Sequence, residues 1–243
     1  MKLSGNKILI SGGASGIGLG LTRRFAEEGN EVIICGRRES ALEEAAGGAA
    51  GIVTRVADLS TPEGRIELFE WIAKEHPDTN VLVNNAGIQQ WMSIEDEDFY
   101  QRAETEIATN IEAPIHLTAL FVKLDSLNTI MNVTSGLSFA PLARVPVYSA
   151  TKAFLHSFTL SLRHNLKAKG IEVVEIIPPA LNTDLGGKGL HDYAPPVSDF
   201  IDSIFEQLKH GKTELTFGLS EKAANAGPAE LENIFNALNA SQA

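Results

Sequence analysis

Residues 7–35 constrain the fold more than any other stretch of this 243-residue chain. Lys7-Ile8-Leu9-Ile10-Ser11 is a short apolar run, the pattern of a strand buried on both faces of a parallel sheet. It runs straight into Gly12-Gly13-Ala14-Ser15-Gly16-Ile17-Gly18. Leu19 to Glu28 then has a helical pattern, Gly29-Asn30 stops it, and Glu31-Val32-Ile33-Ile34-Cys35 is a second apolar run. Strand, glycine-rich turn, helix and strand within about 30 residues make a βαβ unit. Glycines at such a turn let the backbone approach a pyrophosphate closely, and the helix start offers free N–H groups and a positive dipole end to the phosphates. Gly12, Ser15, Gly16, Ile17 and Gly18 are therefore candidate cofactor contacts. A tight turn that merely needs small residues is the plainer alternative, and the flanking strand and helix argue against it.

In a dinucleotide fold, the end of the second strand meets the adenosine ribose. An acidic residue there accepts from the 2′-OH, whereas an arginine accommodates a 2′-phosphate. This chain has no carboxylate at that point and places Arg37 and Arg38 there. Guanidinium groups bind phosphate through two N–H bonds at once, which favours NADP(H) over NAD(H). A third strand, Gly51 to Val56, leads to Asp58-Leu59, and Ser60-Thr61-Pro62-Glu63 is a strong helix start for a helix to about Glu75. Thr79 to Val83 reads as strand four and ends at Asn84-Asn85-Ala86-Gly87. A long helical stretch through Leu120 contains Asn110, with Pro114 straining the helix and freeing a backbone carbonyl. Leu127 to Ser135 is strand five, and Ser135 lies at its carboxyl end, where open α/β sheets bind ligands.

Tyr148 and Lys152 follow on a long helix that Gly170 stops. Four residues apart on a helix, they share a face. A phenol titrates near ~10, and a fixed cation beside it lowers that value and suits it to acid–base work. Alone, the spacing is common on solvated helices.

Together these elements resemble the short-chain dehydrogenase/reductase family, whose turn reads T-G-x-x-x-G-x-G; Ser11 stands at the threonine's place. Asn84 to Gly87, Asn110, Ser135 and Tyr148-x-x-x-Lys152 follow in the family's order and spacing. The resemblance implies a doubly wound, Rossmann-type α/β fold in one domain, 1–243, with a seven-stranded parallel sheet in the order 3-2-1-4-5-6-7. It implies hydride transfer between nicotinamide and a carbonyl or secondary alcohol. Tyr148 would be the acid–base group and Ser135 the second hydrogen bond to the oxygen. Lys152 would lower the phenol and hold the nicotinamide ribose, and Asn110 would hold a relay water. Arg37 matches the basic position of NADP-specific members. Further cofactor contacts carried over are Ser11, Asp58, Leu59, Asn85, Ala86, Gly87, Pro178, Leu181 and Thr183. Pro179 replaces the family's glycine and cannot donate an N–H. The tail from Pro178 resembles a bacterial subgroup labelled after D-alanylation loci (DltE-like).

The remaining expectations concern substrate and setting. Leu137, Phe139, Val145, Leu185, His191 and Tyr193 are candidate substrate contacts, and the glycine- and proline-rich run at 182–197 is a candidate substrate lid. Pro228 to Asn239 reads as an amphipathic helix that packs on its own chain or on a partner, and relatives commonly form dimers or tetramers. A net charge of −11 speaks against nucleic-acid binding. No run of about 18 apolar residues suggests a membrane span. A single cysteine excludes an intrachain disulfide and fits a reducing cytoplasm, and the helical histidines lack the neighbours a metal site needs. Two other functions fit parts of the pattern. One is a non-catalytic NADP(H)-binding sensor; the other is a hydrolase using Ser135 and Lys152, which the missing G-x-S-x-G elbow counts against.

Overall fold

The structure, a computed structural model, describes residues 1–49 and 51–240. Seven parallel strands form one sheet in the order β3-β2-β1-β4-β5-β6-β7. They are β1 (Lys7–Ser11), β2 (Glu31–Gly36), β3 (Ile52–Val56), β4 (Val81–Asn84), β5 (Thr129–Val133), β6 (Glu172–Ile177) and β7 (Glu214–Thr216). The apolar runs are continuous because both faces are covered. Along β1, Ile8 and Ile10 enter the core layer beneath α1 (Gly16–Glu27) and α7 (Val197–Lys209), around Phe25, Phe200 and Phe205. Leu9 points the other way, towards Leu68 of α3 (Pro62–Glu75) and Leu117 of α5 (Ala113–Phe121). A parallel strand sandwiched in this manner has no solvent face to mark with polar residues.

Local chemistry sets the helix starts. Thr61 accepts from Gly64 N at 3.1 Å, and Pro62 occupies the first turn of α3, where its missing N–H costs nothing. Pro146 opens α6 (Pro146–Leu166) in the same manner. The helical stretch expected through Leu120 is divided where Pro114 was expected to strain it. α4 (Phe99–Ile107) passes through a π-turn at Ala108–Glu112 before α5 begins. The cause is Pro114, which has no N–H to give the Asn110 carbonyl four residues back. α2 (Glu39–Ala46) follows β2 and α9 (Pro228–Asn239) forms where expected, while α8 (Leu219–Asn225) is too short to show a periodicity in the sequence. No helix of the described residues is long and apolar enough to cross a membrane.

Candidate active site

The strand ends of β1, β2, β4 and β5 open into one cavity of about 640 Å³. Backbone makes one end of it. Gly12 (φ 66°) and Gly16 (φ 51°) adopt left-handed conformations that turn the chain into α1. Gly18 allows no side chain, since a Cβ there would stand 2.1 Å from the Gly12 carbonyl oxygen. The result is a cradle at the α1 N-terminus, with Ser15, Gly16 and Ile17 on its wall, that fits a pyrophosphate. Ser11 is one layer behind. Its hydroxyl accepts from Asn85 N and Ala86 N, both at 3.0 Å, and donates to Val83 O at 3.2 Å. Asn85 Nδ2 in turn donates to Ser11 O (2.9 Å) and Gly12 O (3.1 Å), so the β4 end fixes the glycine turn.

Arg37, Arg38, Asp58 and Leu59 close that end of the cavity, with both arginines exposed. Asp58 is largely spent on its own turn. It accepts from Ser60 Oγ (2.7 Å) and Ser60 N (2.9 Å), and these bonds, with a smaller contribution from the Arg37 charge, hold its pKa below the ordinary value.

The other end is made of side chains. Tyr148 and Lys152, from the first turns of α6, line the wall and are both buried. Lys152 Nζ donates to the Val133 carbonyl oxygen at 2.8 Å and lies 5.5 Å from the Tyr148 ring centre. The expected lowering of the phenol is not what this geometry gives. Burial raises the Tyr148 pKa, the neighbouring Ser135 hydroxyl pulls it back in part, and the Glu106 carboxylate raises it further. Lys152 feels the same desolvation in the opposite sense, and its pKa falls to about 8. Ser135 Oγ also accepts from Leu137 N at 3.1 Å, which orients it.

Asn110 lies behind this group, on the π-turn. Its Oδ1 accepts from Ile88 N (2.9 Å), and its Nδ2 donates to Ile88 O (2.8 Å) and Thr151 Oγ1 (3.1 Å). Gly87 passes between Asn110 and Lys152, where a Cβ would meet Asn110 Oδ1 at 3.3 Å and Lys152 Nζ at 3.6 Å. The Asn110 side chain is thus committed to the strand-four loop and to Thr151 of α6.

The other expected contacts divide. Ala86, Pro178, Thr183 and Leu185 line the cavity. The Leu181 side chain turns into the core with β6, which leaves only its backbone for the expected cofactor contact, and Val145 is fully buried at the start of α6. Both are apolar positions whose burial is satisfied by packing. Leu137 and Phe139 are half-buried outside the cavity lining, and the Phe139 ring rests 4.7 Å from His156. His191 Nε2 is 3.1 Å from Leu185 O, while Tyr193 is 80% exposed.

Two buried acids escaped the sequence reading. Glu106, one turn before Asn110, is fully buried and accepts from Gln90 N at 2.5 Å; burial raises its pKa to about 7. The four-residue spacing to Asn110 was its only sequence signal. Glu175 on β6 accepts from Thr134 Oγ1 at 2.7 Å and meets His156 Nδ1 at 2.9 Å, which raises the His156 pKa.

The short chain dehydrogenase family model matches residues 6–193. The chain is 42% identical over 249 residues to the uncharacterised oxidoreductase DltE of Bacillus subtilis, covering 98% of each. It is 33% identical over 177 residues to the NADP-dependent 3-hydroxy acid dehydrogenase of Escherichia coli, covering 70% of this chain and 71% of that one. A short chain dehydrogenase from Burkholderia cenocepacia, solved in complex with NADP, shares the fold with a TM-score of 0.83 at 23% identity, covering 99% of this chain and 98% of that one. The family match runs from β1 into the β6–α7 connection, and the similarity to DltE continues through the C-terminal helix: the chain belongs to the short-chain dehydrogenase family of oxidoreductases, in its DltE-like group.

Proposed function

We propose that this protein is an NADP(H)-dependent oxidoreductase of carbonyl compounds and secondary alcohols, with Tyr148 as its acid–base group. The observation that carries the reading is the single cavity, which has a phosphate cradle and two arginines at one end and the Tyr148–Lys152 pair, with Ser135 beside the phenol, at the other. Bound nicotinamide would supply or accept the hydride. In the reducing direction the high pKa of the buried Tyr148 phenol keeps it protonated and ready to donate to the oxygen as charge develops there. Ser135 donates a second hydrogen bond to that oxygen. Lys152, already lowered to about 8, returns a proton to the phenolate at little cost. Asn110 holds the Ile88 backbone so that this wall stays in place.

The preference for NADP(H) rests on Arg37 and Arg38 at the end of β2 and on the absence of a carboxylate there. The E. coli relative is NADP-dependent by name, which supports the same choice, and its substrates make 3-hydroxy acids the first class to assay. The glycine-rich run at 182–197 serves as the substrate lid. The lone, fully buried Cys35, whose thiol is pushed up to about 12, suits a cytoplasmic protein. Exposed Tyr100, Ile107, Phe154 and Leu160 on α4 and α6 suit a homo-oligomer.

The test is turnover. Purified protein with NADPH or NADH and a panel of ketones and aldehydes should consume NADPH. Tyr148→Phe should lose activity by about 10²–10⁴-fold, the usual worth of a positioned general acid. Undiminished turnover in that variant would reject the mechanism, and a sensor without catalysis would bind NADPH but turn over none of the panel.

A further inference from the structure

Helix α4 turns two side chains fully inward, Ala103 and Glu106. An alanine there is ordinary packing. A glutamate is not, because a carboxylate taken out of water costs free energy unless it is fully paired. Glu106 is half paired. Its Oε1 accepts from Gln90 N at 2.5 Å, while its Oε2 is buried with no hydrogen-bond partner among the described residues. Arg102, one turn earlier, spends its guanidinium on Asp96, Asp98, the Gln90 side chain and the Trp91 carbonyl oxygen. A neutral amide would hold Gln90 N without the cost of a buried charge, so holding the loop does not account for a carboxylate at this position.

The helix face that carries Glu106 packs against the first turns of α6. Four residues on, Asn110 Nδ2 donates to Thr151 Oγ1 at 3.1 Å, and Thr151 Oγ1 donates to the Tyr148 carbonyl oxygen at 2.7 Å. One turn back along that face, Glu106 stands towards Tyr148, near enough for its charge to act on the phenol. The other groups at the phenol are the Ser135 hydroxyl and Lys152, whose Nζ is turned to the Val133 carbonyl oxygen. The loop after β4 brings no charge of its own in Ile88-Gln89-Gln90-Trp91, and Arg144, ahead of α6, lies over the Trp91 ring. Burial raises the Glu106 pKa to about 7 against the Gln90 N–H bond and the Arg102 charge, so the carboxylate is ionised across the alkaline range in which a phenol titrates.

We propose that Glu106 is a positioning residue for the reaction: its negative charge opposes phenolate formation at Tyr148 and so keeps the phenol a proton donor, while its Oε1 fixes Gln90 in the loop that carries Ile88 and Gln89 to the cavity wall. This role rests on the proposed function for the part played by Tyr148. The two tasks use different properties of one side chain, charge and reach, and substitution separates them. Glu106→Gln keeps an acceptor for Gln90 N and removes the charge. Glu106→Asp keeps the charge and withdraws it from Gln90 N.

Two measurements on the full-length protein test this role. The first needs no turnover. The chain has three tyrosines, Tyr100, Tyr148 and Tyr193, so the tyrosinate absorbance that is lost in Tyr148→Phe belongs to Tyr148. In the NADP⁺ complex, followed by stopped-flow pH jumps, that absorbance should appear about one pH unit lower in Glu106→Gln than in wild type. Glu106→Met, which removes the charge and the acceptor together, should shift it as far, and Glu106→Asp should leave it with wild type. The second measurement is the pH profile of 3-hydroxybutanoate oxidation with NADP⁺, a direction that needs the phenolate. Its midpoint should fall with Glu106→Gln by the same amount and hold in Glu106→Asp, where KM rises instead. A Tyr148 absorbance that is the same in wild type and both neutral variants, or that moves as far in Glu106→Asp, overturns the role and leaves Glu106 a support for the loop alone. If wild type oxidises no secondary alcohol, the proposed reaction fails, and the absorbance alone decides whether Glu106 acts on Tyr148.

Discussion

The two ends of the cavity are built from different materials. At the glycine turn, recognition is made by backbone: two left-handed glycines, a helix N-terminus and a third glycine whose Cβ would meet a carbonyl oxygen at 2.1 Å. At Tyr148 it is made by side chains that reach across the fold, such as Lys152 to Val133, Asn110 to Ile88 and Glu106 to Gln90. The difference teaches where each end is vulnerable. A backbone cradle has no slack, because nothing in it can rotate away. A side-chain wall can re-form after a small insult, but it contains buried charges that respond to pH.

Paired glycine substitutions sharpen that contrast most. Gly18→Ala places a methyl 2.1 Å from the Gly12 carbonyl oxygen, with Asn85 Nδ2 at 2.5 Å on the other side. We expect NADPH affinity to fall by roughly 10- to 100-fold, the scale of an overpacked contact that cannot relax. Gly186→Ala meets only the ends of Gln89 and Trp91, at 3.0 and 3.2 Å, although its φ of 80° adds strain. Its effect on NADPH affinity should stay below about fivefold by the same reasoning. Fluorescence titration with NADPH measures both. Equal losses in the two variants would erase the distinction between the two ends.

Electrostatics separates the ends a second time. The cofactor end is silent through neutrality, since Asp58 is held low and Cys35 is pushed up to about 12. The Tyr148 end is not. Glu106 has a folded pKa of about 7, above its unfolded value, so the native state binds the extra proton and stability falls as pH rises through the window up to 7. His156, raised by Glu175, loses its contribution as pH climbs past the ordinary histidine value, in the same direction. Lys152 has a folded pKa depressed to about 8, so the unfolded state binds the extra proton above that point and stability recovers towards the ordinary lysine value. Thermal melts should therefore dip between pH 7 and 8. Glu106→Gln should flatten the acid side, by up to about 3 kcal/mol. Lys152→Met should flatten the alkaline recovery. A wild-type Tm that is level from pH 5 to 10 would mean these groups are not titrating inside the fold.

The same contrast explains what could be read from the sequence. The strands and the glycine turn were accessible because their signals are local: short apolar runs bounded by Gly, Asn and Asp, and glycines at fixed offsets; the order of the strands in the sheet came with the family resemblance. Tyr148 and Lys152 were accessible because they share a helix. The direction of the Tyr148 pKa was not, since it depends on burial and on Glu106, which is 42 residues away in the chain. Glu106 itself looks like one more solvated acid between Glu104 and Glu112 until α4 packs it inward. His156 looked isolated because its partner Glu175 sits on a strand that the helix covers only after folding. Val145 has the composition of a pocket residue, and a valine looks the same in sequence whether it faces a ligand or the core.

The cofactor end contains one exception to its backbone construction, and it gives a smaller predicted effect than the glycine cradle. Arg37 and Arg38 would recognise with side chains, and they are exposed at the cavity edge. An exposed ion contact is screened by water and salt, so each should contribute less than the cradle does. Arg37 is the one whose charge reaches Asp58, at the corner where a bound ribose would lie. Arg37→Leu should weaken NADPH by roughly tenfold at low salt and leave NADH within about twofold, because only the 2′-phosphate loses a partner. Raising the salt should shrink the wild-type preference towards that of the variant. Arg38→Leu should show a smaller change with the same sign. If both variants bind NADPH as tightly as wild type, the preference lies in the backbone after all, and the cofactor end is uniform from the glycine turn to its rim.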